Sequence, residues 1–306
     1  MVSLVTSFPD FAVPGFDMER YNNFFKTSNS IINAVSSDIS YKEHWGCLSI
    51  KCAFNGNEMY NIQNRTYAVN ESNFLILNEG QYYSSFIYSK EAVESFTLNF
   101  TADFSRQLHE SVYRSNEELL VDPFYTKSVI PVFIEKLYQH DSSISPIIFT
   151  IKNLSQDFNK NRLIITELYY HLFEKLLLLN DEVKQEIHNV SADRFSTKQE
   201  LYKRLHYAKD YIDSCYADDV SLDDLAAVTL MNAAHLLRQF KKYFHVTPYQ
   251  YLVQKRITIA ANLLKKNNLP ITEICNTVGY DDLSSFIKLF KKYYTLSPEA
   301  YRKNSL

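Results

Sequence analysis

The residues of this chain best suited to chemistry are basic, and they come in duplicate. Phe240-Lys241-Lys242-Tyr243 recurs fifty positions later as Phe290-Lys291-Lys292-Tyr293. Thr247-Pro248 and Tyr251 recur at the same offset as Ser297-Pro298 and Tyr301, whereas Leu222 and Leu225 recur one position earlier, as Ile271 and Ile274. The second copy therefore carries one extra residue in its turn. Ammonium groups in this setting neutralise phosphate, and a guanidinium such as that of Arg238 can pair bidentately with guanine O6 and N7. A single lysine doublet is more often an ordinary solvated helix face. Three doublets, with Lys265-Lys266 between the copies, inside a duplicated frame favour nucleic acid. Net charge agrees: from Ser196 onward 16 Lys and Arg face 11 Asp and Glu, while the remainder holds 16 against 24, so a formal charge of −3 hides a basic C-terminal third.

Each copy needs two helices to present these groups. Leu222, Leu225 and Ala226, then Leu236, Leu237 and Phe240, fall at helical spacing on either side of a break, with Asn232 as a good N-cap. In the second copy Ile271, Ile274 and Val278, then Phe286, Leu289 and Phe290, play those parts, with Gly279 in the turn and Asp281 as the expected cap. The pattern is helix-turn-helix, whose second helix can enter a DNA major groove. Between the copies Thr247 caps a helix with Pro248 at its first position, and no breaker follows until Asn267-Asn268-Leu269-Pro270. A helix of about twenty residues is about 30 Å long, close to the roughly 34 Å between successive major grooves on one face of B-DNA.

On these residues the chain resembles the AraC/XylS family of bacterial transcription regulators. The resemblance is carried by Ser221 to Ala227, His235 to Phe244, Thr247 to Leu252, Arg256 to Leu264, Pro270 to Cys275, Val278 to Asp282, Phe286 to Tyr294 and Ser297 to Arg302. It implies recognition helices over about 233–243 and 282–293. Carried over by position, Ala234, Leu237, Arg238 and Lys241, with Lys242 beside them, face DNA from the first, and Leu283, Ser284, Ile287, Lys288 and Lys291 from the second. Arg238 is a base reader or a phosphate clamp, and Lys288 occupies the matching place. Leu237, Leu283 and Ile287 meet thymine methyls or pack within the helix pair. Two departures stand out: Leu230 occupies a turn position where the family often has Gly, and Asp281-Asp282 sets negative charge beside the second recognition helix.

At 306 residues, 46% hydrophobic, the chain has length for about two domains and real cores. The opening Met1 to Pro9 lacks the basic start of a signal peptide, and no apolar run approaches membrane-spanning length. Cys47, Cys52, Cys215 and Cys275 lack paired metal or redox spacing, so a reducing cytoplasm is expected. From Leu48 to Thr101 short alternating runs separated by Asn55-Gly56-Asn57, Asn70-Glu71-Ser72 and Asn78-Glu79-Gly80 predict closely spaced antiparallel strands. The family resemblance makes this a cupin-like barrel that senses a small molecule, with residues 1–102 as the sensing domain. His44, Trp45, Tyr60, Tyr67, Tyr82, Tyr83 and Phe96 are its candidate effector-lining residues, since aromatics combine apolar area with a polar handle. Ordinary core or surface placement is the alternative for each. His44 has no His-x-His companion, so the ligand count for a metal cage fails, and neither a metal nor a cofactor is expected.

Residues 103–195 read as mostly helical. Ile165, Leu168, Leu172, Leu176 and Leu179 form one stripe, which the resemblance makes a homodimer face and which burial within one subunit would explain as well. Ser196 to Glu200 reads as the cap of the helix leading into a DNA-binding domain over 196–306. The expected fold is thus α+β: an antiparallel barrel, a helical dimerisation region, and an all-α domain with two helix-turn-helix motifs on a long helix. Three classes of function compete for these features. A transcription regulator, an activator by family tendency, would bind double-stranded DNA and RNA polymerase under effector control, or without an effector through dimerisation or a partner protein. A DNA-repair enzyme with the same module needs a nucleophilic Cys in its own motif, which neither Cys47 nor Cys52 has, so no enzyme is expected. An interaction protein of helical hairpins would not bind duplex DNA.

Overall fold

A computed structural model describes residues 2–11, 13–63, 65–114, 129–190, 192–266 and 269–305, the side chains of Lys266 and Ser305 excepted. The chain divides into two compact units, Met1–Gln199 and Glu200–Leu306. Among the described residues no helix is long and apolar enough to cross a membrane.

The first unit is built on one eight-stranded sheet: β1 (Val2–Val5), β2 (Asn29–Trp45), β3 (Leu48–Phe54), β4 (Glu58–Ile62), β5 (Arg65–Val69), β6 (Asn73–Leu77), β7 (Tyr82–Phe100) and β8 (Leu137–Gln139). The pairing path runs β1-β2-β7-β3-β6-β8, with the β4–β5 hairpin attached to β7. All pairs are antiparallel except β1 with β2. The expected barrel is not closed: among the described residues β1 and β8 end the path without pairing to each other. Two other expectations need correction. Where short runs were expected, Tyr82 to Phe100 form one strand of 19 residues, and β1, β2 and β8 lie where no strand was expected. The outer half of β2, around Ser36, Asp38 and Ser40, pairs with the outer half of β7, so pairing rather than alternation makes both strands long.

Register separates the two faces of this sheet. Leu48, Ile50 and Cys52 pair with Phe100, Leu98 and Phe96, and this apolar face packs on helix. Among the described residues, helices α1 (Met18–Thr27), α2 (Ala102–Tyr113), α3 (Ser145–Leu154) and α4 (Phe158–His188), the last two joined by a 3-10 turn over Ser155–Asp157, accompany the sheet. The rings of Tyr169 and Phe173 in α4 each lie 5.3 Å from that of Phe100, and Tyr169 donates to Ser30 O at 2.8 Å. The other face carries Ser49, Lys51 and Ala53 opposite Asn99, Thr97 and Ser95. Residues 115–128 of the region read as helical lie outside the described residues.

The elements of the second unit among the described residues are helices: α5 (which starts at Phe195, just before the unit, and ends at Cys215), α6 (Leu222–Thr229), α7 (Ala233–Phe244), α8 (Pro248–Lys266), α9 (Ile271–Thr277), α10 (Leu283–Tyr294) and α11 (Pro298–Ser305). Ser196 therefore sits inside the first turn of α5 rather than capping it. The duplication covers three helices, α5–α6–α7 and α8–α9–α10. Leu236 and Phe240 anchor the first core, and Phe286 and Phe290 the second, around Ile257, Ala260, Leu264 and Ile274. The Asn267-Asn268 part of the expected stop lies outside the described residues.

Candidate nucleic-acid interface

Helices α7 and α10 are each started by a side chain that satisfies the free N–H groups of the first turn. Asn232 Oδ1 accepts from Ala234 N at 3.0 Å and His235 N at 3.3 Å. In the second copy the cap is Asp282, not Asp281: its carboxylate accepts from Ser284 N at 3.2 Å and Ser285 N at 2.8 Å. The extra residue of the second turn falls before the cap, so the cap keeps the fifty-residue offset of Phe240 and Phe290. Ser285 and the backbone N–H groups hold the Asp282 carboxyl below its ordinary range. Its charge is thus directed into the helix N-terminus. Both helices end in a left-handed residue, His245 and Thr295, each at φ 62°.

Helical spacing sorts each helix into a buried and an outward face. On α7, Leu236 and Phe240 are buried while Ala234, Leu237, Arg238, Lys241 and Lys242 are exposed, and Arg238 Nη2 lies 3.1 Å from His235 Nδ1. On α10, Ser284, Lys288 and Lys291 are exposed, whereas Leu283 and Ile287 are half-buried against the second core. The outward faces are basic and short of acidic groups, and the connector α8 has Thr247 Oγ1 accepting from Gln250 N at 3.2 Å as its cap. Nineteen residues of α8 span about 28 Å at 1.5 Å per residue.

Sequence reasoning missed the side chains that hold this frame. Arg204 of α5 donates to Leu230 O at 2.8 Å, and Leu230 is left-handed at φ 53°. Arg256 of α8 donates to Gly279 O at 2.8 Å, where φ is 83°. The two turns thus repeat the same backbone and the same arginine contact. Asp213, whose side chain is 1% exposed, accepts from Lys209 at 2.8 Å, Lys255 at 3.0 Å and the Tyr251 hydroxyl at 3.0 Å, which joins α5 to α8. Burial alone would raise its carboxyl, but the two ammonium groups outweigh it and hold the carboxyl below its ordinary range. Burial by itself lowers Lys209, and Asp213 with Asp210 overcomes this and raises it.

The helix-turn-helix family model matches residues 225–304. The C-terminal region is an AraC-type helix-turn-helix domain. An uncharacterised helix-turn-helix transcriptional regulator of Haemophilus influenzae is 35% identical over 102 residues, 33% of this chain and 34% of that one. The lactose operon transcription activator of Staphylococcus xylosus is 30% identical over 169 residues, 54% of this chain and 57% of that one. The chain therefore spans about a third to just over half of the length of these curated relatives, and both bear the names of regulators rather than enzymes. Among solved structures, the C-terminal domain of AraT, a response regulator from Geobacillus stearothermophilus, is 31% identical, with 33% of this chain and 84% of that one covered and a TM-score of 0.32. The residues matched by the family model, 225–304, take in both basic helices and the connector.

The N-terminal candidates are brought together only in part. The His44 ring lies 4.3 Å from that of Tyr83, and Tyr83 lies 5.9 Å from Tyr60, which pairs with Tyr67 across β4 and β5. Lys51, absent from the expected set, donates to the Tyr83 hydroxyl at 3.1 Å from full burial, and Glu58 is buried nearby with no hydrogen-bond partner for Oε2. Burial pushes the Lys51 ammonium and the His44 imidazole down and the Glu58 carboxyl up. Trp45 and Tyr82 pair with each other one step along β2 and β7 from His44 and Tyr83, so they point to the other side, and Tyr82 is 58% exposed. Phe96 shares the apolar face of Phe100 that packs on α4. Of the stripe on α4, Ile165, Leu172 and Leu176 are buried inside the subunit and Leu168 and Leu179 are half-buried, while Leu163, Ile164, Tyr170 and Leu178 face outward. The alternation of polar and apolar residues cannot show which face a helix or a sheet turns inward when both carry apolar side chains.

Proposed function

We propose that this chain is a sequence-specific DNA-binding transcription regulator, an activator whose N-terminal sheet responds to a small-molecule effector. The observation that carries the reading is the pair of outward basic faces, Arg238 with Lys241 and Lys242 and Lys288 with Lys291, held on duplicated modules along a connector of about one DNA helical turn. In this reading Ala234, Leu237, Arg238, Lys241 and Lys242 of the first module, and Ser284, Lys288 and Lys291 with the edges of Leu283 and Ile287 of the second, contact adjacent major grooves. Relatives named as regulators of the lactose and raffinose operons support control of an operon. The effector is taken near His44, Lys51, Glu58, Tyr60, Tyr67 and Tyr83, where a spare carboxyl oxygen and buried aromatic hydroxyls can orient a polar ligand. The division into a sensing region over 1–102, a dimerisation region over 103–195 and a DNA-binding region over 196–306 goes with this reading, as do homodimer formation, contact with RNA polymerase and a cytoplasmic site of action.

A second reading, control by dimerisation without an effector, is favoured by one observation. Leu163, Ile164, Tyr170 and Leu178 leave apolar surface outward on α4.

Selection of bound sequences from a random duplex pool by the full chain, at about 150 mM salt to suppress purely electrostatic binding, tests the proposal. Enrichment of a motif in two parts about one helical turn apart supports it. Absence of any enriched motif from both the full chain and the segment from Ser196 onward refutes it.

A further inference from the structure

Arg204 and Arg256 make equivalent contacts within their own modules, yet Arg256 does something Arg204 does not. Its Nε donates to Tyr216 O at 2.6 Å and its Nη2 to Asp218 O at 2.8 Å, while Nη1 holds Gly279 O at 2.8 Å. Tyr216 and Asp218 follow the end of α5 in the first module, and Gly279 is the turn of the second. One guanidinium therefore spans the connector, the exit of the first module and the turn that aims the second recognition helix. Its plane also lies 5.2 Å from the Tyr280 ring centroid. The approach it secures is close: a Cβ added at Gly279 would meet Ala217 O at 2.5 Å.

These contacts bear on how DNA is read. The connector α8 is held to the first module near its start, through Asp213 with Tyr251 and Lys255, and to the second farther along, through Ile257, Ala260 and Leu264. Those contacts each fix α8 to one module, whereas Arg256 ties backbone carbonyls of both modules to one side chain and so limits how far one can roll against the other. Changing the separation of two DNA half-sites by one base pair moves them by about 3.4 Å along the axis and turns one relative to the other by about 34°. Tolerance of such a change depends on how rigidly the modules are held.

We propose that Arg256 is a positioning residue that sets the half-site spacing this protein accepts, without touching DNA itself. The inference rests on the proposed function. A guanidinium is required because it offers planar donors in several directions at once, whereas a lysine ammonium at the same place reaches one or two carbonyls.

The test uses the full chain and the two-part motif from the selection, rebuilt with the halves one or two base pairs closer or farther apart. The unsubstituted protein is expected to lose about tenfold or more in affinity for a one-base-pair change, in the range of a single mismatched pair. Arg256→Lys and Arg256→Ala are expected to bind the native spacing more weakly but to flatten that ratio to about threefold or less, with base preferences inside each half unchanged. Gly279→Ala, which disturbs the same contact from the other side, should flatten it too. Circular dichroism checks that the helices persist, and Arg256→Lys, which keeps the charge and the stem, serves if Arg256→Ala does not fold. A uniform loss of affinity with the spacing ratio intact means that Arg256 is merely structural and overturns the inference. Failure of the unsubstituted protein to enrich any motif overturns the proposed function and this inference with it, a result distinct from a spacing ratio that survives substitution.

Discussion

Leu230 and Gly279 occupy the same place in the two turns, and exchanging their residue types should move stability in opposite directions. Leu230 has φ 53° and ψ 42°, a conformation that costs an L-residue about 1–2 kcal/mol and glycine almost nothing. Its side chain is 80% exposed, so truncation gives up little burial, and Arg204 holds its carbonyl oxygen, which glycine retains. Against the relief of strain stands the greater freedom of glycine in the unfolded chain, about 0.4–1 kcal/mol. Leu230→Gly is therefore expected to stabilise by about 0.5–1 kcal/mol. For Gly279→Ala the same terms change sign, a net loss of about 0.5–1 kcal/mol, and a second cost is added. The new Cβ would lie 2.5 Å from Ala217 O, a backbone atom that cannot swing aside, so the turn or the loop after α5 must shift. Overpacking of this kind costs about 1–3 kcal/mol, for a total loss of about 1.5–4 kcal/mol. Urea unfolding of the full-length variants, followed by far-ultraviolet circular dichroism, reads both shifts. For a unit of this size each kcal/mol corresponds to roughly 4–8 °C in Tm. Destabilisation by Leu230→Gly, or a Gly279→Ala change smaller than about 0.5 kcal/mol, would refute the reasoning, since the turns would then not share the strain assigned to them.

Other outcomes follow from the same structure. Arg238→Ala should cost about 1–3 kcal/mol of DNA binding and relax preference at one base pair, and an even loss over all sequences would make Arg238 a phosphate clamp instead. Lys291→Ala should weaken binding uniformly and lower the slope of affinity against salt by about one, read from binding titrations at several salt concentrations. Removing the carboxylate that joins α5 to α8, as Asp213→Ala, leaves Lys209 and Lys255 nearly buried without their partner and should cost about 3–5 kcal/mol. Because the folded carboxyl of Asp213 is held below its ordinary value, its stabilisation is complete above the unfolded value near pH 4 and is lost as pH falls through the lower folded value. An advantage over Asp213→Asn that persisted undiminished well below that range would contradict this sign. Lys51→Met removes the buried donor to the Tyr83 hydroxyl and should abolish any effector response, so a variant folded by circular dichroism that still responds would remove Lys51 from the effector site.

What the sequence determined by itself was the C-terminal region. Its apolar residues repeat at helical spacing, its caps sit at the helix starts, and its duplication shows that Phe240 and Phe290, or Arg238 and Lys288, must face alike, because one helix has one period whatever surrounds it. Even there the cap moved from Asp281 to Asp282, since a local pattern does not say where in a turn an inserted residue falls. The arginine ties were not legible: Arg256 sits in a run like any solvated helix, and its partners are backbone carbonyls, which sequence does not distinguish. In the N-terminal unit the strands from Leu48 to Leu77 could be read from alternation, but the length of β2 and β7, the open sheet and the face each aromatic takes could not. A strand with apolar or aromatic residues on both sides has no inward side of its own. Only pairing decided that Tyr83 shares a face with His44 while Tyr82 does not, and only packing of α4 on the sheet took Ile165, Leu172 and Leu176 into the subunit. Register and burial are set by the partner an element meets, and that information lies in residues far away along the chain.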